Sequence, residues 1–294
     1  MKLVELVYEG GEILDLCLGA QRSLLQAELR DRFLSVDLRA KSTKERAKLL
    51  RAAANGTVNN VLIRGLSGLQ EAANFFTRSA LLIDVLGKSD PLERNELAPY
   101  AFRTRRAYVY GCEMSRRVRS AGIGNISKQG GPYFPRLDFD LPESPVIGVT
   151  SISEGALAAI GKLKTLRTQK NLQFAIVSTE RAVGVETVSC ALEVAESCSL
   201  LVAPNERQDF LGPNEGAILA LCTGRALCTT KTDAIDDLPY PPDRYMRAER
   251  GAPGSYAACA LLYPQHRAVL DAWPASAALD WEQVPRDILR RLDV

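Results

Sequence analysis

Leu200-Leu201-Val202-Ala203-Pro204-Asn205-Glu206-Arg207-Gln208-Asp209-Phe210-Leu211-Gly212-Pro213-Asn214-Glu215-Gly216 runs on through residues 217–230 and carries, in order, the signals for a strand, a loop, a helix and a second strand. Residues 200–203 form a short apolar run closed by a proline, which predicts a buried strand ending in a loop. Gly212-Pro213-Asn214 supplies turn and helix-start chemistry. Glu215 falls in the first turn, and Ile218, Leu219, Leu221 and Cys222 form an apolar stripe that ends at Gly224. Residues 225–230 read as the next strand. Strand, polar loop, helix and strand make an α/β crossover, and the free backbone N–H groups at its helix start lie at the carboxyl edge of a parallel sheet. Such a terminus attracts anions, phosphates included. Glu215 has a second reading, as a carboxylate that only complements the helix dipole.

The alternation continues in both directions. Two apolar runs, 3–8 and 13–18, flank Gly10-Gly11, which predicts a hairpin or a strand extension. Gly19-Ala20-Gln21-Arg22 then opens a helix with Leu24, Leu25, Leu29 and Phe33 at helical spacing. Further strands are expected at 34–38, 58–63, 80–86, 107–111, 126–129, 146–150 and 174–177. Helices are expected at 43–54, 69–78, 92–106, 156–166 and 191–197, with a basic helix running to Gly122. Residues 136–145, with Pro142 and Pro145, have the composition of a linker. The expected organisation is therefore an α/β protein of two Rossmann-like domains, 1–140 and 146–294, facing a cleft. Ligands of open parallel sheets bind at the carboxyl ends of strands, so Asp84, Gly87, Lys88 and Asp90 are candidates there, although Asp90-Pro91 reads equally well as a plain loop.

Composition narrows the class. In 294 residues with 46% apolar content there is no segment as apolar and as long as a membrane span, and no signal-peptide core follows Met1. The 7 cysteines sit mostly in apolar contexts without a CxxC pair, so reduced buried thiols in a cytoplasmic protein are expected. The sole histidine, His266, reads as a surface or structural residue, which leaves almost no material for His-based metal sites or triads. Net charge is +2, but residues 1–140 hold 22 Lys and Arg against 16 Asp and Glu, a balance of +6; the remainder holds 15 against 19, a balance of −4. Arg103, Arg105 and Arg106, then Arg116, Arg117 and Arg119, contribute to the basic half. That half is either a solvated surface or a site for an anionic partner.

The run from residue 200 resembles the donor-binding segment of GT-B glycosyltransferases, above all the retaining family 4 type. There a proline-ended strand, an EGFG-like loop and a helix of the form EAMACGxPVV follow one another. Phe210 and Gly212 lie in the corresponding loop here, and residues 219–227 read LALCTGRAL. Gly19-Ala20-Gln21-Arg22 resembles the GGAER loop of those enzymes, with one glycine lost and Gln in place of Glu. Residues 112–135, ending Gly-Gly-Pro-Tyr-Phe-Pro, resemble the segment that closes their acceptor domain. The resemblance implies a nucleotide-sugar donor (UDP among the nucleotides), transfer to an acceptor hydroxyl with retention, and no metal or other cofactor. It implies donor contacts at Gly19, Ala20, Gly212, Asn214, Glu215 and Gly216, with Ser151 and Arg181 beside the diphosphate, and Glu206, Asp209 and Asp84 as catalytic or sugar-binding acids. Lys88, Arg103, Arg105 and Arg106 are then the acceptor-binding candidates, for DNA carrying a hydroxylated base or for a lipid-linked glycan at a membrane surface. Two departures stand out: the family's second glutamate falls at Leu219, and its Arg/Lys pair is absent from 151–155, with Lys162, Lys164 and Arg181 the nearest substitutes. They point to the alternative of a catalytically silent GT-B-like subunit or nucleotide-sugar binding module. A dinucleotide-dependent enzyme is disfavoured because no GxGxxG follows any expected strand.

Overall fold

A strand that returns through a helix re-enters its sheet in the original direction, so short apolar runs alternating with helices pair in parallel. The computed structural model describes residues 2–85, 97–129, 137–150, 155–204, 215–230, 246–249, 251–258 and 282–292. They build two six-stranded sheets with every pairing parallel. The chain divides into two compact units: Met1–Pro132 and Asp280–Val294 fall in the first, Tyr133–Gln208 and Pro213–Leu279 in the second.

In the first unit the order along the chain is β1 (Leu3–Val7), α1 (Glu12–Leu29), β2 (Phe33–Asp37), α2 (Thr43–Ala53), β3 (Asn60–Arg64), α3 (Leu69–Phe75), β4 (Ala80–Asp84), β5 (Thr104–Tyr110), α4 (Cys112–Ser120) and β6 (Ile126–Gln129). The strands lie in the order β2-β1-β3-β4-β5-β6. One sheet face, with Val4, Leu6, Val61, Ile63, Leu81, Ile83, Ala107 and Val109, packs against buried residues of α2, α3 and α4. On the opposite face Leu3, Leu62, Leu82 and Tyr108 meet Leu25 and Leu29 of α1 and Val284, Ile288 and Leu292 of a last helix, α8 (Gln283–Leu292). Tyr108 Oη donates to Asp287 at 3.0 Å, and Arg291 Nε reaches the same carboxylate at 2.9 Å. Burial alone would raise the Asp287 pKa, but those two partners hold it below the ordinary aspartate value.

The second unit contains β7 (Val146–Val149), α5 (Gly155–Gln169), β8 (Ala175–Ser178), β9 (Glu186–Thr187), α6 (Ala191–Ser197), β10 (Leu200–Ala203), α7 (Glu215–Thr223), β11 (Ala226–Thr230) and β12 (Met246–Ala248). Its order is β12-β11-β10-β7-β8-β9. Ile147, Val149, Leu200 and Val202 face α5. On the other face α6 comes so close to β7 that a methyl on Gly148 would sit 2.7 Å from Cys198 Sγ and from Val194. Every residue of α7 from Gly216 to Thr223 is buried, which explains why it carries so little polar character. The linker docks at the far end of that helix: Leu137 N donates to Cys222 O at 2.8 Å, and Arg225, buried, donates to Ala195 O at 2.8 Å and Asp140 O at 3.1 Å.

Three expectations need correction. Residues 13–18 are not a second strand of a hairpin but the first turns of α1, because Ile13, Cys17, Gln21, Leu25 and Leu29 are buried at a spacing of four and only a helix presents them on one face. Gly19 and Ala20 consequently lie inside α1 and not in a loop, which removes them as phosphate contacts. Residues 98–103 form a 3-10 turn in place of the end of a helix, and β5 begins already at Thr104, where the chain commits Thr104 Oγ1 to Tyr100 O at 2.8 Å.

Candidate functional site

In an open parallel sheet the ligand crevice opens at the carboxyl ends of the strands, where the strand order reverses. In the first unit that switch lies between β1 and β3, and in the second between β7 and β10. The chemistry-bearing residues of each unit are therefore sought in the turns that leave those four strands.

The turn after β1 is Tyr8-Glu9-Gly10-Gly11, and it delivers the chain to the front of α1. Gly11 is the N-cap, in extended conformation and without a side-chain cap hydrogen bond. The turn is held from several sides. Tyr8 N and Glu9 N both donate to Arg64 O, at 3.0 and 3.3 Å. Glu9 Oε1 accepts from Ser67 N at 3.0 Å, so this carboxylate serves the 3-10 turn Leu66–Gly68 that precedes α3. Beside Gly10 stands Arg39, whose guanidinium forks Asp37 and also reaches Asp15. The hydrogen bond from Arg39 lowers the Asp37 pKa, and Asp37 in turn raises that of Arg39.

Beneath the turn lies a buried ionic chain. Arg64, wholly excluded from solvent, donates Nε to Glu5 Oε1 at 3.0 Å and Nη1 to Asp84 Oδ2, and both acids are likewise fully buried. Glu5 Oε2 also receives Arg22 Nε at 2.8 Å and Ser35 Oγ at 2.7 Å. Burial opposes the Glu5 charge, yet Arg64 and Arg22 outweigh it and hold the pKa below its ordinary value. Asp84 thus ends β4 at the carboxyl edge as expected, with its side chain engaged by Arg64.

The arginines proposed for an acceptor lie elsewhere. Arg103 precedes β5 at the amino edge of the sheet and donates to the carbonyls of Ala73, Phe76 and Ser79. Arg105 donates to Arg291 O at 3.0 Å, and Arg106 to Asn125 Oδ1 at 2.8 Å. All three bind neighbouring chain segments near the start of β5, away from the edge where the Gly10-Gly11 turn stands. Lys88 lies outside the described residues.

In the second unit the described residues frame the switch without filling it. β7 leads to Thr150, buried, whose N–H donates to Val202 O at 3.0 Å, and β10 ends at Ala203-Pro204. Glu215 and Gly216 begin α7, with Glu215 half-buried and Gly216 buried. Ser151, Glu206, Asp209, Gly212 and Asn214 lie outside the described residues. Arg181 is exposed in the turn after β8, next to Glu180, whose N–H donates to Ser178 Oγ at 3.1 Å. Lys164, a substitute cation by sequence, donates its ammonium to Val183 O. Among the described residues no group of His, Cys, Asp and Glu has the makings of a metal site, and no helix is long and apolar enough to cross a membrane.

Sequence reasoning missed the Glu9-Gly10-Gly11 turn and the Arg64 chain. The signal for the first was present, a glycine pair directly after an apolar run; the second needed contacts over 59 and 20 residues.

No protein-family model matches the chain, and no curated protein does. Solved structures do. Anabaena Alr3699/HepE in complex with UDP-glucose superposes with a TM-score of 0.70 at 13% identity, covering 100% of this chain and 99% of that one. A glycosyltransferase from Rickettsia africae ESF-5 gives 0.55 at 11% identity, over 97% and 92%. The Streptomyces sp. SF2575 glycosyltransferase SsfS6, complexed with thymidine diphosphate, gives 0.54 at 12% identity, over 100% and 99%. Two parallel six-stranded α/β domains in this order, matched over the full chain, are the fold of the GT-B glycosyltransferases.

Proposed function

We propose that the chain is a glycosyltransferase that binds a nucleoside-diphosphate sugar, a UDP-hexose first among the candidates, and transfers the sugar to an acceptor hydroxyl. The observation that carries the reading is the full-length match to a structure holding UDP-glucose, joined to a glycine turn after β1 and to helix starts beside the sheet switch points. The aligned N–H dipoles at a helix start complement a diphosphate. Glu215 and Gly216 at the front of α7, with Gly212, Asn214, Ser151 and Arg181, are assigned to the donor diphosphate and ribose, and Glu206 and Asp209 to the sugar hydroxyls. Gly10 and Gly11 take the place that sequence reasoning gave to Gly19 and Ala20. Asp84 acts in this proposal through its ion pair, beneath the site.

The reaction follows from that assignment. The bond between the anomeric carbon and the diphosphate breaks, the acceptor oxygen bonds to that carbon on the same face, and the departing diphosphate takes the acceptor proton. Retention enters this proposal as the same-face attack, and metal independence because electrostatic stabilisation of the leaving group by fixed N–H dipoles supplies the main catalytic term. The excess of Lys and Arg over residues 1–140 keeps an anionic acceptor in the proposal, a hydroxylated-base DNA or a lipid-linked glycan. A cytoplasmic location completes it.

A second reading, a silent nucleotide-sugar binding subunit, is favoured by one feature: the sequence between β7 and α5 includes Ser151-Ile152-Ser153-Glu154, with no cation. A thermal-shift screen over common nucleotide sugars, followed by donor hydrolysis and transfer assays, separates the readings. Stabilisation by UDP-glucose with slow release of UDP is expected for the enzyme. Binding without hydrolysis or transfer over a broad acceptor panel supports the silent subunit, and no binding of any nucleotide sugar overturns both.

A further inference from the structure

The turn at the first unit's switch point is shaped by two glycines that lie outside it. Gly65 directly follows β3 with φ of +98°, a backbone state that side chains disfavour, and a methyl there would sit 2.5 Å from Cγ and Cδ of Glu9. Gly68 ends the 3-10 turn, and a methyl on it would run into the ring of Tyr8, overlapping Cγ, Cδ2 and Cε2. The side chains of the first two turn residues are thus laid across two positions that must stay bare. Glu9 gains its hydrogen bond to Ser67 N only from that posture. Gly10 repeats the pattern from within, since a methyl on it would meet Arg39 Nη1 at 2.5 Å and Asp15 Oδ1 at 2.6 Å. The Arg64 carbonyl holds two N–H groups of the turn from below, and its guanidinium is fixed by Glu5 and Asp84.

We infer that Gly65 and Gly68 are positioning residues for the donor: they seat Glu9 and Tyr8 so that the Gly10-Gly11 backbone is pre-set before a nucleotide sugar arrives. This rests on the proposed function, and it adds residues that touch neither diphosphate nor sugar. Pre-set geometry matters because a binding turn that must first be ordered loses affinity by the cost of ordering it.

The test uses the full chain, Gly68→Ala, and two readouts. Amide hydrogen exchange of the peptide spanning Tyr8 to Gly11 reports the turn without any ligand. Calorimetry with UDP-glucose reports its effect on the donor. Faster exchange confined to that peptide, with UDP-glucose weakened about tenfold and kcat changed much less than KM, is the expected result. Replacing the ring as well, in Tyr8→Leu/Gly68→Ala, makes room for the methyl and is expected to restore both readouts to within about threefold. Should Gly68→Ala not fold, Gly65→Ala drives a methyl against Glu9 instead and is expected to speed exchange in the same peptide. Unchanged exchange in Gly68→Ala overturns the inference, as does faster exchange with unchanged UDP-glucose affinity. Failure of the wild-type chain to bind any nucleotide sugar defeats the proposed function instead, and exchange then decides whether the two glycines set the turn.

Discussion

The two sheets bury their polar groups by different means. At the carboxyl end of the first, an ionic chain of Arg22, Glu5, Arg64 and Asp84 spans three strands and a helix. At the same end of the second, hydroxyls do the work: Ser178 Oγ donates to Val149 O at 2.7 Å, Thr229 Oγ1 to Ala203 O at 2.6 Å, and Thr230 pairs with Tyr256 at 2.9 Å. A hydroxyl saturates one backbone carbonyl and leaves no net charge to compensate. A buried guanidinium must keep both carboxylates or strand a charge in a medium that cannot solvate it. The first sheet is therefore expected to be the more sensitive to loss of a partner and to acid at this end, and the second the less so.

The largest effect expected from this difference is at Arg64. Arg64→Met leaves Glu5 and Asp84 buried without their common partner, at a cost of about 3–5 kcal/mol, read as a lower denaturation midpoint with exchange protection lost first in β1, β3 and β4. A variant as stable as the wild type would remove the ionic chain from the account of this sheet. Acid should have the next largest effect. The folded pKa of Glu5 lies below its ordinary 4.5, so its stabilisation is fully present above that value and is lost as pH falls through the depressed one. Asp287, also lowered, adds a loss in the same direction from the docking of α8. Denaturation measured from neutral pH downward should show the first unit yielding before the second; the reverse order would contradict the contrast drawn between them. Thr229→Val exchanges a hydroxyl for a methyl of the same shape and should cost about 1 kcal/mol, with no change in the acid profile. Smallest is Ser42→Ala, which breaks the capping box with Glu45 at the front of α2, costs about 0.5 kcal/mol and should lower the melting midpoint by about 1–2 °C.

Where local rules decide, the fold was readable. The 191–197 helix and the 200–203 strand fall where the sequence puts them, because each is a short segment whose burial pattern and terminal signals agree. The 13–18 run went astray for a local reason as well: Ile13, Leu14, Leu16, Cys17 and Leu18 are all apolar, so the helical stripe is hidden among neighbours that also suit a strand. Of the candidate site, the general position was legible and the working parts were not. Arg64 closes the apolar run Val61-Leu62-Ile63 and looks like a charge turned to water; that it meets Glu5 and Asp84 instead is a fact of strand order, which no window of sequence contains. Arg103 misled in the opposite sense, as a basic cluster member whose donors are consumed by main-chain carbonyls more than twenty residues away.

The last helix follows the whole second unit in the chain, yet it covers Leu3, Leu62, Leu82 and Tyr108 of the first. A ribosome therefore releases the opening strands long before the segment that shields them exists. Throughout synthesis of the later unit, that side of the earlier sheet has α1 but not α8 for cover, and the nascent protein reaches its native first unit only after the second has been made.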